Sequence, residues 1–104
     1  MYHGLENIKH SEEFFEALTK LKTKEEFRKF FRDVATLSEI TVMSERLEVV
    51  KLLNKSIPYR KIVEQTGVSS ATITRVAYWL NNGMGGYRLM LDRLGLKKEE
   101  RNKK

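Results

Sequence analysis

Apolar residues recur along this chain at helical spacing, and no segment shows the strict alternation that marks a half-buried strand. Phe14, Phe15, Leu18 and Leu21 predict a first helix, Ser11 to Leu21, with Ser11 as its cap. Thr23-Lys-Glu-Glu26 fits a capping box, in which Thr23 and Glu26 satisfy each other's amides. The helix it opens carries Phe27, Phe30, Phe31 and Val34. Ser38 begins a longer third helix to Asn54, with Ile40, Met43, Leu47, Val50 and Leu53 on a broad apolar face. Near the end, Gly85-Gly86 loosens the chain before a last helix, Tyr87 to Leu94, which Gly95 stops.

Residues 55–82 have a different character. Pro58 lacks an amide hydrogen and suits the first position of a helix, with Ser56 or Ile57 as the flanking cap. That helix runs through Gln65 with Ile62 and Val63 inward, and Gly67 turns the chain. Ser69 or Ser70 caps a second helix over a packed Val68. In this helix Ile73, Val76, Ala77 and Leu80 fall at i, i+3, i+4 and i+7, one apolar stripe. The opposite side carries Ala71, Arg75 and Tyr78, flanked by Thr72 and Thr74. Two short helices, a glycine turn and a small, hydroxylated, basic outer face are the parts of a helix-turn-helix, which lays its second helix in the DNA major groove. The candidate DNA contacts are Lys55, Tyr59, Arg60 and Lys61 ahead of the turn, and Ser69, Ser70, Ala71, Thr72, Thr74 and Arg75 after it. Alanine permits close approach, threonine hydroxyls reach phosphates, and arginine pairs with phosphate or a guanine edge.

Charge sharpens this picture. The net +6 is unevenly spread: residues 1–54 sum to −1, residues 55–88 to +4 and residues 89–104 to +3. A polyanion partner is favoured, although charge alone does not separate DNA from RNA or anionic lipid. At 104 residues the chain reads as one all-α domain: dimerisation helices over 1–54, a helix-turn-helix over 56–82, a final helix over 86–95 and a charged tail over 97–104. With no cysteine, no signal-peptide pattern and no long apolar run, a cytoplasmic protein is expected, with no membrane association.

All five phenylalanines lie between positions 14 and 31. Neighbours such as Phe14 and Phe15 point about 100° apart on a helix, so each short helix is apolar on more than one side. A second copy would cover this surface, and a homodimer built on the N-terminal helices is expected. The alternative is that the third and the last of the six helices of the same chain cover the rings.

The string Ala71-Thr-Ile-Thr-Arg75 after the Gly67 turn strongly resembles the recognition helix of the Trp repressor superfamily, and the match extends over roughly 45–82. Ile62-Val-Glu64, Ser69 to Val76 and the run Trp79 to Tyr87 are most similar to the small Trp-repressor-related proteins of the YerC/YecD type. The resemblance implies a six-helix, intertwined dimer that binds operator DNA as a transcriptional repressor. It places Arg60 at a DNA-contacting arginine, and Ala71, Thr72 and Thr74 at positions facing bases or phosphates. Arg75 matches the arginine that holds the corepressor carboxylate.

The possible effector pocket it implies is Arg46, Arg75, Val76 and Trp79, and there the chain departs from the pattern. Val76 replaces a glycine against which the indole lies, and Trp79 replaces a small serine. The second corepressor arginine aligns with Glu45 or, one residue on, Arg46. These departures argue against tryptophan. Either the pocket is closed and binding is constitutive, or another effector fits. Trp79 reads as the aromatic filling that slot or simply as core.

No cofactor is expected. His3 and His10, seven apart, have no nearby cysteine or clear metal-ligand set, Gly83-Met-Gly-Gly86 lacks a P-loop's lysine, and no nucleophile arrangement is recognisable, so no metal site and no enzyme activity are expected. The alternative function is a protein-interaction module that retains the helix-turn-helix fold.

Overall fold

Among the described residues, 2–96 of a computed structural model, the chain forms six α-helices and a short 3-10 turn at Leu5–Asn7, with no strand. The helices are α1 (Ser11–Leu18), α2 (Lys24–Val34), α3 (Leu37–Asn54), α4 (Tyr59–Thr66), α5 (Ser70–Asn82) and α6 (Gly86–Arg93). The expected charged tail, 97–104, lies outside the described residues. Within α3, between Thr41 and Val42, the chain divides into two compact units.

In the N-terminal unit the helix ends differ from the sequence expectation. Ser11 is not a cap: His10 holds that position at φ 71°, while the Ser11 hydroxyl donates to the Leu5 carbonyl at 3.0 Å and ties α1 to the 3-10 turn. The helix stops at Leu18 rather than Leu21. The amides of Thr19, Lys20 and Leu21 donate three residues back, to Glu16, Ala17 and Leu18, which tightens the last turn and ends the α-helical ladder. Thr23 caps α2 as expected, its hydroxyl accepting from the Glu26 amide at 3.1 Å, but the Glu26 carboxylate accepts from Lys22, one residue before the cap, at 2.8 Å.

α3 starts one residue before Ser38. Thr36 and Glu39 form a full capping box, with the Glu39 amide donating to the Thr36 hydroxyl (3.0 Å) and the Thr36 amide to the Glu39 carboxylate (2.8 Å). On α1 and α2, Phe14 lies 6.2 Å from Phe30 and Phe27 stacks on Phe31 at 6.5 Å, yet Phe14, Phe15 and Phe27 remain exposed.

The core belongs to the C-terminal unit. Val49, Val50, Leu52, Ile62, Val68, Ile73, Val76 and Leu91 form one buried cluster, joined by Leu53, Ile57, Val63, Leu80, Tyr87 and Leu96 at its edge. The stripe predicted for α3 is only partly used: Val50 is buried and Leu53 half-buried, Met43 is exposed, and Val49 and Leu52 are buried although they lie off that stripe. The end of α3 meets residues of α4, α5 and α6 together, so burial there extends round the helix.

Gly67 closes α4 at φ 76°, with its amide donating to the Val63 carbonyl at 2.8 Å. A Cβ there would meet nothing within 4 Å, so only the left-handed backbone demands glycine. Gly67→Ala is therefore expected to lower stability by about 1–2 kcal/mol, the penalty for a side chain in that conformation. Urea unfolding checks this, and an unchanged midpoint would show that the turn does not need its positive φ.

Candidate nucleic-acid interface

Pro58 adopts φ −62° and ψ 150°, an extended residue outside α4, so it is the cap and Tyr59 the first helical residue. This corrects the expectation that Pro58 itself would begin the helix; its ψ, which the ring does not fix, decides the matter. Tyr59, Arg60 and Lys61 then fill the first turn, all exposed, with no acidic residue among them. Lys55 is also exposed, just past the end of α3.

The charge at the helix starts changes along the chain. α1 opens with Glu12 and Glu13, α2 with Glu25 and Glu26, and α3 with Glu39, as the positive end of a helix dipole favours. α4, α5 and α6 have no acid in the first turn, and α4 places two cations there. Cations at a helix N-terminus are locally unfavourable by about 0.3–1 kcal/mol each. Exposed amides, the dipole and two cations together make a strongly electropositive end suited to a phosphate.

Ser69, not Ser70, caps α5: its hydroxyl accepts from the Thr72 amide at 3.1 Å and donates to the Thr72 hydroxyl at 3.1 Å. The predicted stripe faces inward, with Ile73 and Val76 buried and Ala77 and Leu80 half-buried. Ser70, Ala71, Thr74 and Arg75 are exposed along the opposite side, and Thr72 is half-buried at its edge. The Thr74 hydroxyl donates to the Ser70 carbonyl at 3.0 Å, so outwardly it offers a methyl and an acceptor rather than a ready donor. At 13 residues α5 is about 20 Å long, enough to cross a major groove about 12 Å wide.

The four residues of the expected effector pocket lie on α3 (Arg46) and α5 (Arg75, Val76 and Trp79). Arg46 and Arg75 are exposed, and Val76, 2% exposed, packs into the core. Trp79, expected in the ligand slot or in the core, is 45% exposed and meets the 56% exposed Tyr78 edge-on at 5.1 Å. Periodicity misses this because Trp79 borders the stripe, and only the position of neighbouring elements decides whether a border residue is covered. Asn82-Gly83 ends α5, as the sequence predicts, with Gly83 as the cap and its amide donating to the Trp79 carbonyl at 2.9 Å. A Cβ on Gly83 would lie 2.6 Å from the Trp79 carbonyl oxygen, so the chain's close return over Trp79 is what excludes a side chain.

Grooves among the described residues indent this unit. One of about 290 Å³ is lined by Ser44, Glu45, Glu48, Leu52, Gln65 and Thr66, and another, of about 210 Å³, lies between the end of α3, the start of α4 and α5. Neither takes in Arg46, Arg75, Val76 or Trp79. Among the described residues no group of three His, Cys, Asp or Glu could hold a metal, and no helix is long and apolar enough to cross a membrane.

Comparison with known proteins agrees with this geometry. The model of the Trp repressor protein family matches residues 9–95. An uncharacterized protein of Bacillus subtilis (strain 168), YerC, is 41% identical over 86 residues, 83% of either chain. A Trp operon repressor homolog of Chlamydia caviae is 39% identical over 64 residues, 61% of this chain and 63% of that one. The crystal structure of a TrpR-like protein from Eubacterium eligens superposes with a TM-score of 0.81 at 41% identity, covering 88% of this chain and 95% of that one.

Proposed function

The chain belongs to the Trp repressor family, and we propose on that footing that it is a dimeric, sequence-specific reader of double-stranded DNA that represses transcription in the cytoplasm, associated with the nucleoid when bound. The observation that carries the reading is the reversal of charge at the helix starts: acids open α1 to α3, whereas α4, α5 and α6 open without any, and α4 alone of these carries two cations in its first turn, Arg60 and Lys61. Local stability is sacrificed where a phosphate would restore it. α5 then offers Ala71 and Thr74 to base edges, with Arg75 positioned for phosphate or guanine.

The dimer is supported by Phe14, Phe15, Phe27, Val34 and Leu37, which stay exposed in the single chain. Tryptophan is not its corepressor on this reading, because Val76 keeps its branched side chain where the family's ligand meets glycine, and Trp79 stands in place of a serine.

Selection of preferred sites from a random duplex library, scored at two salt concentrations, tests the proposal. The expected result is a palindrome with half-sites about 34 Å apart, one helical turn. Each neutralised phosphate should add about −0.9 to the slope of log K against log salt. Weak, sequence-blind binding would overturn the reading. It would favour the second one, a protein-interaction module, for which the exposed Tyr78 and Trp79 on α5 supply an apolar contact. That module would bind its protein partner with little salt dependence.

A further inference from the structure

Asn82-Gly83 is the single Asn-Gly pair in the sequence, and it falls where α5 ends. An asparagine side-chain amide is most open to attack by the next main-chain nitrogen when glycine follows, because no Cβ shields that nitrogen. The fold keeps this glycine for its own reason, since a Cβ there would lie 2.6 Å from the Trp79 carbonyl oxygen. Gly83 has left the helix, at φ −86° and ψ −157°, and Asn82 is exposed. Two hydrogen bonds hold the reacting groups: Asn82 Nδ2 donates to the Tyr78 carbonyl at 3.0 Å, and the Gly83 amide to the Trp79 carbonyl at 2.9 Å. Both belong to the final turn of α5, and helix ends open more readily than helix interiors.

The position of Asn82 gives this chemistry a consequence. Ala71, Arg75, Tyr78 and Asn82 fall at i, i+4, i+7 and i+11, within about 60° of one another around the helix. All four are exposed and form one outward stripe. No acid lies between Glu64 and Asp92, a stretch that holds Arg75 and Arg88. A carboxylate at position 82 would be the first negative charge in it, about 10 Å along the axis from Arg75. It would also stand at the negative end of the helix dipole, where the last turn has no cation to offset it.

We propose that Asn82 is a site of intramolecular deamidation, which cancels the net positive charge of the outward stripe of α5. When the last turn opens, the Gly83 nitrogen gives its proton to base and attacks Asn82 Cγ. A Cγ–N bond forms, the Cγ–Nδ2 bond breaks, and ammonia leaves with a proton returned by the base, closing a five-membered imide. Water then opens the imide at either carbonyl. One opening leaves aspartate in an unaltered main chain. The other leaves isoaspartate, which carries the side-chain carbons into the main chain and breaks the register of the helix end. Nothing is oxidised or reduced. The expected loss of DNA affinity as product accumulates rests on the DNA-binding reading; the chemistry does not.

The full chain kept in mildly alkaline buffer at physiological temperature tests the site. Its tryptic peptide Val76–Arg88 holds both Asn81 and Asn82 and is weighed and fragmented at intervals. Asn82 is expected to gain one mass unit, while Asn81, followed by asparagine, stays intact as the internal control. Urea should speed the conversion by opening the last turn, and Asn82→Gln should leave the peptide unchanged. A peptide unaltered in buffer while the urea-unfolded chain converts would overturn the site, because the folded helix end would never expose it. Conversion of Asn81 at an equal rate would overturn the part given to Gly83. Asn82→Asp is expected to bind duplex DNA roughly twofold to fivefold more weakly at low salt, the size of an exposed charge effect. Its slope of log K against log salt should be flatter by up to about 0.9, one counterion fewer released. An Asn82→Asp chain that binds DNA as tightly as the unaltered one would overturn the effect on the stripe. Loss of DNA binding by both chains would overturn the DNA reading, while the mass record still reports the site.

Discussion

Ile73→Ala is expected to destabilise the protein by about 2–5 kcal/mol, the range for truncating a fully buried isoleucine. Ile73 has no exposed surface and lies on the inner face of α5, in one cluster with Val49, Val50, Ile62 and Val76. Removing its outer carbons forfeits transfer free energy and leaves a cavity that residues from three helices would have to collapse to fill. A domain of this size is stable by only about 5–15 kcal/mol, so the loss is a large fraction of the whole. DNA binding should fall with it at moderate temperature, because α5 is the helix proposed to carry the reading face. Ile73→Val should cost only about 0.5–1.5 kcal/mol. Urea unfolding at fixed protomer concentration checks both, since the stability of the proposed dimer would depend on concentration. A cost below about 1 kcal/mol for the alanine variant would mean that α5 is not anchored through this residue.

Arg60→Ala is expected to act in opposite directions on two observables. Operator affinity should fall by about 1–3 kcal/mol if the guanidinium makes a bidentate contact to a base edge. Stability of the free protein should rise slightly, by about 0.3–1 kcal/mol at low salt, because the substitution removes a cation from the positive end of α4. Arg60 is exposed in the first turn of that helix, where no acid offsets it. A residue retained for folding would lower both quantities, so the opposed signs separate a contact from a structural role. Unchanged affinity together with unchanged sequence preference would remove Arg60 from the interface.

Much of the C-terminal unit was legible in the sequence because its signals are local. Gly67 in the left-handed region, a serine cap and apolar residues at i, i+3, i+4 and i+7 fix the two helices and the inner face of α5 within a span of about five turns. The same kind of signal was present and passed over at Thr36-Leu-Ser-Glu39, where a full capping box starts α3 while Ser38 lay closer to the first periodic apolar residue. The ψ of Pro58 and the early end of α1 were not legible. Both depend on which carbonyls and amides the adjoining turn happens to satisfy.

The sequence by itself determined that the chain is helical, where its turning glycine lies, and which side of α5 faces outward with Ala71, Thr74 and Arg75. These follow from periodicity and from backbone groups that residues within a few positions can satisfy. Tertiary structure alone decided that Val49 and Leu52 are buried off the main stripe of α3, that Trp79 stays at the surface, and that Ser56 rather than glycine takes a left-handed turn beside a groove. Burial is a property of the several elements that converge on a point. The residues that converge here, from Val49 to Leu91, are far apart in the chain, and no pattern read along it encodes which of them meet.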